Sequence, residues 1–217
     1  TISREADYVI YTLAGPEIAV ATTKAYILQV VVMALLACRV TGKKDIVDEL
    51  KRLPRLLKEV VDKRDTYLEI AKKISDREDI FFIGRKIDYA ISLEGSLKLK
   101  EVSYIHSEAY QAGELKHGTI SLIDKGTPVF AIVTEDDIRE KTISNICEVK
   151  ARGAMIIVAS NEDGFESDYL IKVPRVSEFL QPILVVPCLQ LIAYEVAKIR
   201  GCDIDKPKNL AKSVTVE

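Results

Sequence analysis

The chain has 217 residues, 48% of them hydrophobic, with 31 Lys and Arg against 33 Asp and Glu and a formal net charge of -2. That is enough chain for one large domain, or one domain and a piece of another, around a substantial core. The near-neutral balance gives no broad basic footprint for nucleic acid or an anionic membrane, so an anionic ligand has to be caught by a local site.

In chain order, the opening Thr1-Ile2-Ser3-Arg4-Glu5 has no apolar core or cleavage pattern of a signal peptide, and the absence of an initial Met suggests a processed or truncated chain. Tyr8 to Tyr11 reads as a short strand, followed by the punctuation Ala14-Gly15-Pro16. An apolar stretch from about Thr22 to Gly42 reads as a buried helix. Its core, Ala25 to Cys38, is interrupted by Gln29 and falls short of the roughly 20 residues that span a bilayer. From Lys43 to Glu78, apolar residues at helical spacing predict two or three amphipathic helices with a break at Pro54. A βα rhythm then begins with a strand at Ile80 to Ile83, the turn Gly84-Arg85 and a helix over about Tyr89 to Tyr104. Strands are expected at Pro128 to Val133, Met155 to Ala159 and Tyr169 to Val173, with a helix over about Asp136 to Ala151. A last apolar helix, Ile183 to Ile199, stops at Gly201 and leaves the polar tail Asp203 to Glu217.

Short continuous runs of Val, Ile and Phe separated by helices specify a parallel sheet covered on both faces, a doubly wound α/β sandwich. Such sheets bind ligands at the carboxyl ends of their strands, which directs attention to the turn after Ile83 and the loops after Val133 and Ala159. There is no G-x-G-x-x-G and no Walker loop there, so a dinucleotide or nucleoside triphosphate has no support and no cofactor is expected.

On the helix after the first strand, Glu94, Lys98 and Glu101 are spaced i, i+4 and i+7 and share one face. The bland reading is an exposed ion-pair ladder. The functional one is a proton-handling face, in which a carboxylate beside a sugar carbonyl moves a proton between adjacent carbons. The two histidines, His106 and His117, have no second ligand at metal spacing. His117, inside Gly113-Glu114-Leu115-Lys116-His117-Gly118, reads either as an exposed loop residue or as one close to a ligand or partner, and His106 reads as structural. Cys38, Cys147, Cys188 and Cys202 form no C-x-x-C pair, which points to a reducing, cytoplasmic setting without a zinc site or disulfide framework.

Several longer runs then resemble the glucosamine-6-phosphate synthase family: Asn209 to Glu217, Leu93 to Glu101, Tyr104-Ile105-His106 with Glu108-Ala109-Tyr110, Ala112 to Gly118, and Ala14 to Ile18 with Thr23-Lys24-Ala25. The similarity extends from about Arg4 to the end. It implies a family that joins a glutaminase to two sugar-isomerase (SIS) domains and converts fructose 6-phosphate and glutamine to glucosamine 6-phosphate and glutamate. On that resemblance, residues 1–42 are the end of a first SIS domain, 43–202 a second, and 203–217 a catalytic tail. Lys212 forms a Schiff base with the open-chain ketose, and Glu101 shuttles a proton between the first two carbons. His117 helps open the ring in the site of a neighbouring subunit, so a homodimer is implied. Glu94 and Lys98 support the site, and Val20, Thr22 and Ala211 line the sugar.

Departures from the family pattern are Thr22 for Ser, Lys86 for Gly and Thr119 for Pro. The family's Ser- and Thr-rich phosphate loop and its glutaminase are both missing from this sequence. The expectation is an isomerase portion with impaired phosphate affinity. Its alternatives are a non-catalytic SIS module that binds sugar phosphates or another chain, and a deglycase-like relative. An incomplete first domain is further expected to leave the apolar helix at Ala25 to Cys38 partly uncovered and ready to associate.

Overall fold

The computed structural model describes residues 2–43 and 45–213. Its helices are α1 (Ile2–Glu5), α2 (Lys24–Thr41), α3 (Asp45–Val61), α4 (Arg64–Ile74), α5 (Ile87–Ser103), α6 (Arg139–Lys150) and α7 (Gln181–Ile199). Its strands are β1 (Asp79–Gly84), β2 (His106–Gln111), β3 (Pro128–Val133), β4 (Met155–Ser160) and β5 (Tyr169–Lys172). All neighbouring strands pair parallel, in the order β2-β1-β3-β4-β5, so the winding direction reverses between β1 and β3.

The alternation of strand side chains builds two cores. Ile80, Phe82, Phe130, Ile132, Ile157 and Ala159 face α4, α5 and α7, whereas Phe81, Ile83, Val129, Ala131, Ile156 and Val158 face α6 and the turns after β2. Both faces of β1, β3 and β4 are therefore buried, which is why these strands read as unbroken apolar runs. Gly95 lets α5 approach α7 and the sheet, because a Cβ there would lie 2.6 Å from Leu189 Cδ1 and 3.0 Å from Phe82 Cε1.

The doubly wound sandwich is as expected, with four corrections. Tyr8 to Tyr11 forms no strand; residues 6–23 run without regular structure and, among the described residues, have no neighbouring strand to pair with. β2 was not foreseen, because His-Ser-Glu-Ala-Tyr-Gln is a polar edge strand with Ser107 as its only fully buried residue. Pro54 lies inside α3 without breaking it, where Leu53, Leu56 and Val60 anchor the helix in the core.

The fourth correction concerns α2, which is not a buried helix: only Ala34 and Cys38 are buried, and Met33, Leu35, Leu36 and Val40 are exposed. By length and composition α2 and the segment Glu178–Ile199 could each cross a membrane, but the latter is the 67%-buried central helix of the larger core, against 11% for α2. The exposure of α2 matches the expectation of an uncovered apolar helix.

Candidate active site

Helix α5 starts at the carboxyl end of β1 and runs back along the sheet. Glu101, 14 residues on from Ile87, therefore lies about 20 Å away, towards the amino ends of the strands. There α5 meets the second half of α7 and a cavity of about 80 Å³, lined by Ala19, Ala21, Thr23, Lys98, Val102, Gln190, Ala193, Tyr194 and Ile204.

The shared face of Glu94, Lys98 and Glu101 is not a solvated ladder. Lys98 is 5% exposed. Its ammonium donates to Glu101 Oε2 at 2.6 Å and stands 3.7 Å from Glu94 Oε1. One buried cation thus serves two carboxylates, and the cluster retains a net negative charge. Burial raises the Glu94 carboxyl above its ordinary value, with Lys98 opposing and Glu101 adding to the rise. Truncating one member of a buried, paired charge cluster costs several kcal/mol, typically about 3–5. A group this expensive to bury without need is a candidate for chemistry.

Two distant pieces of chain close over this wall. Glu17 Oε1 accepts from Thr23 N at 2.8 Å, Thr23 Oγ1 at 3.0 Å and Lys24 N at 3.0 Å, placing an anion at the start of α2 where the helix dipole favours it. Burial opposes the charge, but the Thr23 bonds and the Lys212 ammonium hold the Glu17 carboxyl below its ordinary value. The carboxy-terminal tail is stitched to the same loop, since Val20 N donates to Asp205 O at 2.9 Å. Lys208 N donates to Tyr104 Oη at 2.7 Å, and its ammonium lies 4.4 Å from the centre of that ring. Lys212 Nζ then reaches the carbonyls of Ala19 at 2.9 Å and Val20 at 3.5 Å, with Glu17 Oε2 at 3.9 Å.

Lys212, Val20, Lys98, Glu94 and Glu101 are thereby gathered around one region. Thr22 sits half-buried between the cavity-lining Ala21 and Thr23, and Ala211 is exposed beside Lys212. Val214 to Glu217, the end of the tail motif, lie outside the described residues. His117 is not part of this cluster. It is exposed on a short 3-10 turn, Leu115–His117, in the connection leaving the carboxyl end of β2, at the opposite end of the sheet.

The sequence reading placed the ligand at the carboxyl ends of the strands, and the candidate cluster is elsewhere. Ion pairs, largely between exposed side chains, lie at those ends instead. Lys86 bonds Asp137 and stands 3.5 Å from Glu135, while Arg175 pairs with Asp136 at 2.8 Å and Glu162 at 2.6 Å. Lys86 adopts φ 49° and ψ -119°, a conformation suited to the glycine usual in the family. Gly84 beside it has no room for a side chain, since a Cβ would stand 2.4 Å from the backbone of Asp88.

Sequence reasoning missed Glu17 and Gln190. Glu17 lies in a motif noted only for its resemblance. Gln190 interrupts the apolar run from Ile183 to Ala193, and that lone amide was the available signal.

A family model described as SIS domain matches residues 73–200. Curated relatives include glutamine–fructose-6-phosphate aminotransferase [isomerizing] of Caldanaerobacter subterraneus, 48% identical over 230 aligned residues, and that of Symbiobacterium thermophilum, 49% identical over 230. Each alignment takes in all of this chain, which spans 38% of the length of either relative. Among solved structures, the C-terminal domain of glucosamine-fructose-6-phosphate aminotransferase from Francisella tularensis superimposes with a TM-score of 0.88 at 37% identity, over 94% of this chain and 61% of that one. Glucosamine-6-phosphate deaminase from Thermotoga maritima does so with a TM-score of 0.76 at 26% identity, over 99% and 63%.

Proposed function

The chain belongs to the SIS-domain family, and we infer that it is the isomerase portion of a glutamine–fructose-6-phosphate aminotransferase, acting on the open chain of fructose 6-phosphate and yielding glucosamine 6-phosphate. The observation that carries this reading is the tail lysine: the Lys212 ammonium is bound back onto the loop that walls the cavity bearing the buried Lys98 clamp.

In this reading the unprotonated Lys212 amine adds to the ketose carbonyl at C2 and water leaves, giving a Schiff base that acidifies the C–H at C1; ammonia from glutamine then displaces Lys212 from C2, freeing the lysine and leaving a sugar imine with the same acidic C–H. Glu101 takes that proton and returns it to the adjacent carbon, its carboxylate held in place by Lys98 at 2.6 Å. Glu94 and Lys98 support this geometry, and Val20, Thr22 and Ala211 line the sugar. Residues 1–42 are the end of a first SIS domain, 43–202 a second, and 203–217 the catalytic tail. The exposed face of α2 is the surface against which the rest of the first domain packs. Glutamine use requires a glutaminase as a further partner. The four free cysteines suit a cytoplasmic setting.

A homodimer is part of the same proposal. His117 lies at the wrong end of the sheet to serve the site of its own chain, so ring opening draws on a neighbour's His117. Leu93 and Leu97, 46% and 42% exposed, flank the open edge strand β2, and Lys100 and Glu108 lie beside them in a groove of about 450 Å³. This face offers apolar area and both charges to a second copy. Sedimentation velocity at micromolar concentration is expected to give a dimer; a single monomeric boundary contradicts that assignment.

The isomerase reading is tested in deuterium oxide. Incubating the folded chain with fructose 6-phosphate is expected to wash deuterium into the sugar at the carbon next to the carbonyl, and no incorporation above the buffer rate contradicts it.

A further inference from the structure

Two buried polar atoms beside the cavity are unpartnered, and they are complementary. Among the described residues, Glu94 Oε1 on α5 accepts no hydrogen bond, and Gln190 Nε2 on α7 donates none. The Glu94 side chain is nine-tenths buried, at 10% exposure. Lys98 supplies it with charge but stands too far away for a hydrogen bond, at 3.7 Å from Glu94 Oε1 against 2.6 Å from Glu101 Oε2. Gln190 lines the cavity beside Lys98, Ala193 and Tyr194. Burial raises the Glu94 carboxyl and Lys98 draws it down; Glu101 adds to the rise, and the nearby Gln190 amide favours the charged form. The amide therefore lines the cavity and lies near the carboxylate.

We propose that Gln190 is a positioning residue: a hydroxyl of a phosphorylated polyol in the cavity hydrogen-bonds to its amide, which then donates Nε2–H to Glu94 Oε1 and fixes that carboxylate beside Lys98. This rests on the sugar-phosphate reading of the site and extends it to a residue that neither composition nor resemblance singled out. The chemistry requires an amide. Its carbonyl accepts from an O–H group while its NH₂ donates on the other side of one rigid plane. Leucine at this position can do neither, and glutamate has no donor and adds a second negative charge. The charged and titratable groups facing Glu94 are Lys98 and Glu101 on its own helix and Tyr26 on α2, whose hydroxyl is raised by burial and by Glu94 itself.

The test follows the Glu94 carboxyl by ¹³C NMR, assigned through Glu94→Gln, in the wild-type chain, in Gln190→Leu and in the near-isosteric Gln190→Glu, with and without millimolar glucitol 6-phosphate. In the wild type the polyol is expected to lower the midpoint of the Glu94 titration. In Gln190→Leu the midpoint without polyol lies higher than in the wild type and the polyol no longer moves it; in Gln190→Glu it lies higher still. Identical midpoints in wild type and Gln190→Leu, with and without polyol, overturn the proposal, as does a Gln190→Glu midpoint equal to wild type should the leucine variant not fold. If the polyol fails to bind the wild type, the sugar-site reading is what fails. The comparison without polyol then decides the Gln190 role alone: a raised midpoint supports the link from amide to carboxylate, and an unchanged one overturns it.

Discussion

Glu101→Gln is expected to slow deuterium incorporation into fructose 6-phosphate by about 10²- to 10⁴-fold, the range over which a positioned general base acts. The substitution keeps the shape of the side chain and an oxygen that can accept from Lys98 at the present 2.6 Å, and removes only the ability to take a proton. Lys98 also keeps Glu94 at 3.7 Å as a counter-charge, so the buried ammonium is not stranded. The loss should therefore appear in the rate and not in the fold. Proton NMR of the sugar, together with a melting curve of the variant, separates the two. A rate within about threefold of wild type removes Glu101 from the role of base.

A second large effect concerns stability. Asp88 is 1% exposed at the start of α5, where its carboxylate accepts from Thr134 N at 2.8 Å and from the Thr134 hydroxyl, tying β1 and α5 to the end of β3. Burial pushes its carboxyl up to about 6 from an ordinary 3.8; the Thr134 bonds hold it down, and neighbouring Glu135 adds to the rise. The folded chain then binds a proton more readily than the unfolded one. The contribution to stability is present in full below the unfolded value of 3.8 and is lost as pH rises through about 6. At neutral pH the ionised form leaves the fold roughly 3 kcal/mol less stable, relative to a group that does not titrate, than at low pH. Asp88→Asn keeps an acceptor for Thr134 N and removes the charge. In urea unfolding, the stability of the wild type relative to this variant is expected to fall by about 2 kcal/mol between pH 4 and pH 7. Parallel pH profiles for the two proteins contradict the assignment.

The fold was legible where both faces of a strand are buried. Phe81, Ile83, Val129 and Ile157 leave no polar position to confuse the period, so β1, β3 and β4 and the doubly wound class follow from the letters alone. Strand β2 escaped because an edge strand with one covered face carries no such run, and because Ser107, its buried residue, is polar. Tyr8 to Tyr11 failed in the opposite way. The propensity is there, but a strand exists only against a neighbour, and among the described residues this segment has none.

At the site, helical spacing alone put Glu94, Lys98 and Glu101 on one face, yet it could not say that the face points inward. Burial of a lysine is a property of what packs over it, here the cavity wall shared with α7 and the loop through Ala19 and Ala21. Lys212 was reached by resemblance, since nothing in a polar tail predicts a return of 193 residues to the Ala19 carbonyl. Glu17 and Gln190 act only through such long-range closure, which periodicity does not report.

We propose that Lys212 is the Schiff-base lysine of an isomerase site. The most direct test is borohydride reduction of the folded chain with fructose 6-phosphate, followed by peptide mass spectrometry. A reduced sugar adduct is expected on Lys212, and it disappears in Lys212→Arg. An adduct confined to other lysines, or none at all in a protein that remains folded, contradicts the proposal.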